Sequence, residues 1–156
     1  ALLFIFYNSY LKPQSPLKEK RMKKLFTTKY SAGAFNAAML LLRIGSGVLL
    51  MNHGYGKLIK FSSLQHKFVS ILGLGSTITL SLVIFAEFFC SMFIILGLFT
   101  RLAAIPIIIV MSVALFKAHN LDFFDEGEVA ALYLTAFFVI LIVGPGKISV
   151  DGMIGK

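Results

Sequence analysis

The sequence predicts an all-α protein: a four-transmembrane-helix bundle with a short interfacial amphipathic helix between helices 1 and 2. Three observations predict it. Of 156 residues, 58% are hydrophobic and only 14% charged, with a mean hydropathy of +0.87, far above that of a soluble domain. Apolar runs approaching the roughly 20 residues needed to cross a bilayer as a helix recur along the chain. The basic residues gather at one flank, as they do on the cytoplasmic side of a membrane protein.

The elements follow in order. Residues 1–30 form a basic N-terminal segment, in which "ALLFIFYNSY" is apolar over too few residues to span and "LKPQSP" breaks any helix. Six Lys and Arg fall between Lys12 and Lys24. Because they follow the apolar stretch, the segment does not read as a signal peptide. It is an interfacial piece, a processed remnant or sequence upstream of the usual start, for which Met22 is a natural position.

A membrane domain over 31–147 comes next, with spans expected at 34–52, 76–98, 102–117 and 129–143. Between the first two, Phe61, Leu64, Phe68, Ile71 and Leu72 recur at helical spacing opposite Gln65, His66 and Lys67, the pattern of a helix lying on a membrane surface. The connection "FTRL" is so short that the second and third spans must be antiparallel neighbours. "GPGK" stops the last span, and 148–156 reads as a short cytoplasmic tail. Arg101, Lys147 and Lys156 join the basic flank, which places both termini in the cytoplasm and "HNLDFFDEGE" outside.

Two charges fall inside the expected spans, Arg43 and Glu87. A lone charge at that depth costs from roughly 3 to more than 10 kcal/mol, so each must face protein or water. An Arg43 to Glu87 ion pair is the expected solution. Asn36, Arg43, Gly47, Gly54 and Lys57 share one face of the first helix, suited to close helix contact or to lining a cavity. The pair either locks the bundle or lines a pocket for a polar head group or a proton path.

His53 and His119 end the first and third spans at one depth, and with Lys57 they make a candidate ligand pocket. Such histidines hydrogen-bond a quinone carbonyl, or simply contact backbone and lipid head groups. A haem or a metal is disfavoured, because no deep histidine pair and no fixed ligand geometry are present. The single cysteine, Cys90, leaves no thiol pair for redox work. Phosphate loops, nucleophile triads and dinucleotide fingerprints are absent. A formal charge of +8 does not point to nucleic acid, since the basic residues are neither interleaved with aromatics nor set on a polar face.

Three stretches, "LLLRIGSGVLLMNHGYGKL", "FAEFFCSMFIILGLFTRLAAIP" and "GPGKISVDG", together resemble the DoxX family of small bacterial membrane proteins over roughly Met39 to Gly152. The resemblance rests on Arg43, His53, Gly54 and Lys57, then Glu87, Gly97, Thr100 and Arg101, and finally Gly144, Pro145, Gly146, Ser149 and Asp151. It implies a four-helix protein of the bacterial inner (plasma) membrane, described as an oxidoreductase subunit; a related branch is associated with thiosulfate oxidation coupled to quinone.

Three functions are therefore in competition. The first is a small subunit of a quinone-linked oxidoreductase assembly, whose partner protein carries the redox cofactor. The second is a non-catalytic accessory or scaffold subunit of a larger membrane complex. The third is a small proton-coupled transporter working through Glu87. No recognisable motif binds a cofactor of its own; lipid, other membrane subunits and a quinone are the expected partners.

Overall fold

A computed structural model of the chain describes residues 28–71, 73–118, 125 and 127–155. The chain divides into two units, Ala1–Ala32 and Gly33–Lys156, and the second carries the architecture. The described residues are helical, with no strand among them. Helix α1 is Ala32–Ile59 and the short α2 is Phe61–Leu64. Helix α3 is Ser76–Leu96, π-helical over Phe85–Cys90. Helix α4 is Thr100–Val113, continued by a π-helical turn over Ala114–Ala118. Helix α5 is Glu128–Val143, and α6 is Val150–Ile154.

Three helices, α1, α3 and α4, are long and apolar enough to cross a membrane, and α5 is a shorter apolar helix of 16 residues. Leu41, Leu82, Leu102, Leu132 and Ile142 are among the large apolar side chains left exposed on the outside of these helices. Continuous apolar exposure on that scale suits lipid, not water.

The buried face of α1 is Met39, Arg43, Gly47, Leu50 and Gly54, a stripe at the i, i+4, i+7 spacing of one helix side. It lies against α3, running antiparallel to it. Glycine is required at the closest approach. A Cβ on Gly54 would sit 2.6 Å from the Phe88 amide nitrogen, and one on Gly47 would sit 2.7 Å from Ile95 Cγ1. On the other side α3 turns sharply into α4. Ala103, Ala104, Ile107 and Met111 of α4 complete the core with Phe137 and Ile140 of α5. The small alanines let the two helix backbones come close.

Where α3 ends, Gly97 adopts φ 71°. Its amide donates to Ile94 O and that of Leu98 to Phe93 O, the paired bonds of a Schellman stop. The "FTRL" turn therefore makes α3 and α4 antiparallel neighbours, as its length requires. Pro106 lies two turns inside α4, deeper than the first turn, and the helix continues past it.

Two expectations need correction. The first span does not end at residue 52 but continues to Ile59, because Gly54 is a packing residue and not a helix stop. The helix expected over 61–72 shortens to Phe61–Leu64. Thr77 Oγ1 donates to Gln65 O at 3.1 Å and the Ile71 amide donates to Thr79 Oγ1 at 3.3 Å, so the chain is drawn back onto the first turns of α3 before a longer helix can form. Leu72 and the segment 119–124 lie outside the described residues. The segment after residue 147, read as a tail, is tied into the bundle: the Asp151 amide donates to Gly97 O at 2.8 Å.

The tight α1–α3 contact yields a prediction. Gly54→Ala forces the helices apart and lowers stability by about 1–3 kcal/mol, the usual cost of overpacking; thermal unfolding in detergent, followed by circular dichroism, reads the change directly.

Candidate functional site

Polar side chains gather at two levels of the helix assembly, the end of α3 and its middle, and the two clusters differ in kind. The first is built around Arg43, which is 1% exposed. Its Nε donates to Ile94 O at 3.1 Å and its Nη2 to Ile95 O at 3.3 Å. Its Nη1 donates to Ile148 O at 3.0 Å and to Pro145 O. Ile94 and Ile95 are in the last turn of α3, whose terminal carbonyls have no partner within the helix. Arg43 thus caps α3 and also sits where the helix dipole favours a cation. Its other acceptors belong to the loop after α5, so one guanidinium ties three elements together.

Asp151 closes the same knot. One carboxylate oxygen accepts from the Phe99 amide at 2.8 Å; the other accepts from the Thr100 amide at 2.9 Å and the Thr100 hydroxyl at 2.8 Å. Helix α4 has no capping side chain of its own at Phe99, which is held at φ 49°. Asp151, some 50 residues away in sequence, does the work of an N-cap. Burial raises its pKa, but the Thr100 and Phe99 hydrogen bonds and the Arg43 charge outweigh it, and the carboxyl is held below its usual value. Gly97 must be glycine here, since a Cβ would meet Ser149 Cβ at 2.5 Å and Arg43 Nη2 at 2.7 Å. Ser149 in turn accepts from the Gly152 amide and donates to Gly146 O. Asn36 Oδ1 accepts from the Lys147 amide at 2.7 Å, and Arg101 donates to Ile142 O at 3.3 Å. Arg43, Thr100, Ser149 and Asp151 all have partners within the fold, so this end reads as structural.

The second cluster lies level with the middle of α3. Lys57 Nζ and Glu87 Oε2 form an ion pair at 2.5 Å, with the Glu87 side chain 6% exposed and that of Lys57 27% exposed. Glu87 stands in the π-helical stretch of α3, a distortion that recurs at functional sites because it redirects a side chain. Tyr133 of α5 is within electrostatic reach of Glu87 and meets the His53 ring edge-on, centroids 6.1 Å apart. The rings of Tyr55 of α1 and Phe88 of α3 meet with centroids 6.3 Å apart. One turn beyond Glu87, the hydroxyl of Ser91 is fully buried and makes no hydrogen bond. The result is a buried carboxylate, a partly exposed ammonium, an exposed imidazole and a phenol, drawn from three helices.

The expected Arg43 to Glu87 pair is replaced. Arg43 lies level with Ile94 and Ile95, about two helical turns from Glu87, or on the order of 11 Å, and each charge takes a nearer partner. His53 and Lys57 share the second cluster. His119, the third residue of the expected pocket, lies outside the described residues. Tyr133 went unread in the sequence; the signal for it was a lone tyrosine in the apolar run "ALYLTAFF" of α5, a polar tip that needs somewhere to go. Cys90 is buried and free. Among the described residues no group of three His, Cys, Asp or Glu is placed to hold a metal ion.

Two predictions follow from this geometry. Reversing Lys57 or Glu87 singly costs about 2–4 kcal/mol, and the double exchange, Lys57→Glu with Glu87→Lys, recovers most of it; exchanging Arg43 and Glu87 recovers nothing. Both are read by denaturation in detergent. For Asp151, a depressed native pKa means that its stabilisation is present above the unfolded carboxylate range, near pH 4, and is lost as pH falls through the native value. Asp151→Asn is therefore less stable at pH 7 by about 1–2 kcal/mol and loses the acid-side slope that the parent chain shows below about pH 4.

The profile of the DoxX family matches residues 38–120, just over half the chain. No curated protein and no solved structure matches it. The matched region holds Arg43, the Lys57–Glu87 pair and Arg101, and its apolar helices place it in a membrane: the chain belongs to the DoxX family of membrane proteins.

Proposed function

We propose that this DoxX protein is a four-span subunit of the bacterial inner membrane that serves a quinone-linked oxidoreductase assembly, with its termini in the cytoplasm and the redox cofactor on a partner protein. The observation that carries the reading is the Lys57–Glu87 pair, partly exposed at Lys57 and set on a π-helical turn beside His53 and Tyr133. Full enclosure of an ion pair costs the desolvation of both charges. Here the ammonium stays accessible while the carboxylate does not.

The donor set fits a quinone head group. Lys57 offers an N–H to a carbonyl oxygen, and the exposed ring of His53 offers a second donor or acceptor in the same cluster. Glu87 orients Lys57 and holds negative charge where a proton is to be taken up. Tyr133 supports His53 by its edge contact. The quinone, when bound, supplies two-electron, two-proton chemistry; this chain's residues bind it, orient it and hold the proton. With no thiol pair, since Cys90 is the single cysteine, electrons have to come from the partner protein.

The test uses a short-chain quinone and the full-length protein in mild detergent. Wild type binds the quinone, Lys57→Met weakens binding at least tenfold, and a cofactor-bearing protein co-purifies. No quinone binding together with co-purification of a large complex would instead mean an accessory subunit. Proton flux in liposomes that Glu87→Gln abolishes would mean a transporter.

A further inference from the structure

Asn52 is in an unexpected place. It lies on the exposed side of α1, and the structure gives its amide no hydrogen-bond partner among the described residues. Its depth follows from the α1–α3 register. Arg43 is level with the end of α3 at Ile94 and Ile95, and Gly54 is level with Glu87 and Phe88, the middle of a 21-residue helix. Asn52 is thus about 13 Å along the helix from the Arg43 level, close to halfway through a hydrocarbon layer of about 30 Å. Water does not reach an outward-facing side chain there, and a bare amide in hydrocarbon costs several kcal/mol unless another polar group meets it.

The surrounding surface shows what meets it. At about 100° per residue, Ala38, Leu41, Gly45, Leu49, Asn52 and Gly56 fall within an arc of about 80°, diametrically opposite the buried Arg43, Gly47 and Gly54. A Cβ added at Gly45 or Gly56 would meet nothing within 4 Å. These two glycines are unlike Gly47 and Gly54, whose absent side chains are explained by α3. They flank Asn52 and open the helix backbone to a close neighbour from outside the chain. A carboxamide both donates and accepts, so it is its own complement, and a two-fold axis places the same residue opposite itself. No charge interrupts the face between Ala38 and Gly56, and at mid-depth a lipid head group is out of reach.

We propose that the chain forms a two-fold homodimer through this outer face of α1, with the Asn52 amides of two copies hydrogen-bonded to each other and Gly45 and Gly56 at the crossing. The interface is on the side of α1 away from its α3-facing stripe and does not depend on the reading of the Lys57–Glu87 site.

Sedimentation equilibrium of the full chain in mild detergent tests it, over a range of protein-to-detergent ratios. Wild type is a monomer–dimer system; Asn52→Leu raises the dissociation constant roughly tenfold, and Gly45→Leu raises it at least as far. Neither variant lowers the unfolding temperature of the monomer, because Asn52 makes no hydrogen bond among the described residues and a Cβ at Gly45 meets nothing within 4 Å. In native membranes Asn52→Cys cross-links to a dimer on mild oxidation, while the buried Cys90 of wild type does not. A wild type that is monomeric throughout, a dimer that both leucine variants leave unchanged, or a one-to-one complex with a different protein through this face each overturns the proposal.

Discussion

A guanidinium keeps its charge inside a protein and carries five N–H donors in a fixed plane. Once Arg43 is placed on the inner side of a membrane helix, the rest of the fold has to supply acceptors for it. The end of α3 and the loop after α5 do so with four main-chain carbonyls. Much of the surrounding chain follows from that demand. Gly97 lacks a side chain so that the guanidinium and Ser149 can approach. The chain reverses at Gly144 and Gly146 with positive φ, bringing Pro145 and Ile148 into reach. Asp151 then faces a cation and caps α4. Remove the arginine, and carbonyls from two separate elements lose their common donor.

This division of labour separates a saturated cluster from an open one. In the Arg43 knot, hydrogen bonds run from side chain to backbone at spacings of about 50 to 110 residues, joining the start of the membrane domain to its close. The interaction is long-range and internally complete. In the second cluster the polar groups interact chiefly with one another: Lys57 with Glu87, His53 with Tyr133. The Ser91 hydroxyl makes no hydrogen bond. The π-helical stretch is in this cluster. Stability and chemical potential are placed apart, which lets one vary without undoing the other.

Much of the fold was legible in the chain. Hydropathy marked the three later apolar helices to within two residues, while the first runs seven residues past its expected end. The stripe of Asn36, Arg43, Gly47, Gly54 and Lys57 reads in the sequence as suited to close helix contact or to lining a cavity, and its Gly47 and Gly54 meet α3 closely. The length of "FTRL" dictated an antiparallel turn. What was not legible was register. Arg43 and Glu87 look like partners because both stand near the middle of an apolar run, but α1 has 28 residues and α3 has 21, so the middles of the two runs are not at one height. The glycines set the height: Gly54 against Phe88 and Gly47 against Ile95 bring Lys57, not Arg43, to Glu87.

The sequence by itself determined that the protein is helical and apolar enough for a membrane, and that its buried charges need partners, because those properties depend on local composition and on the cost of moving charge out of water. Only the tertiary structure decided which partners they have. That choice depends on side-chain contacts between distant segments, where adding a single methyl group at a glycine shifts one helix against another, and no pattern within either helix records the outcome.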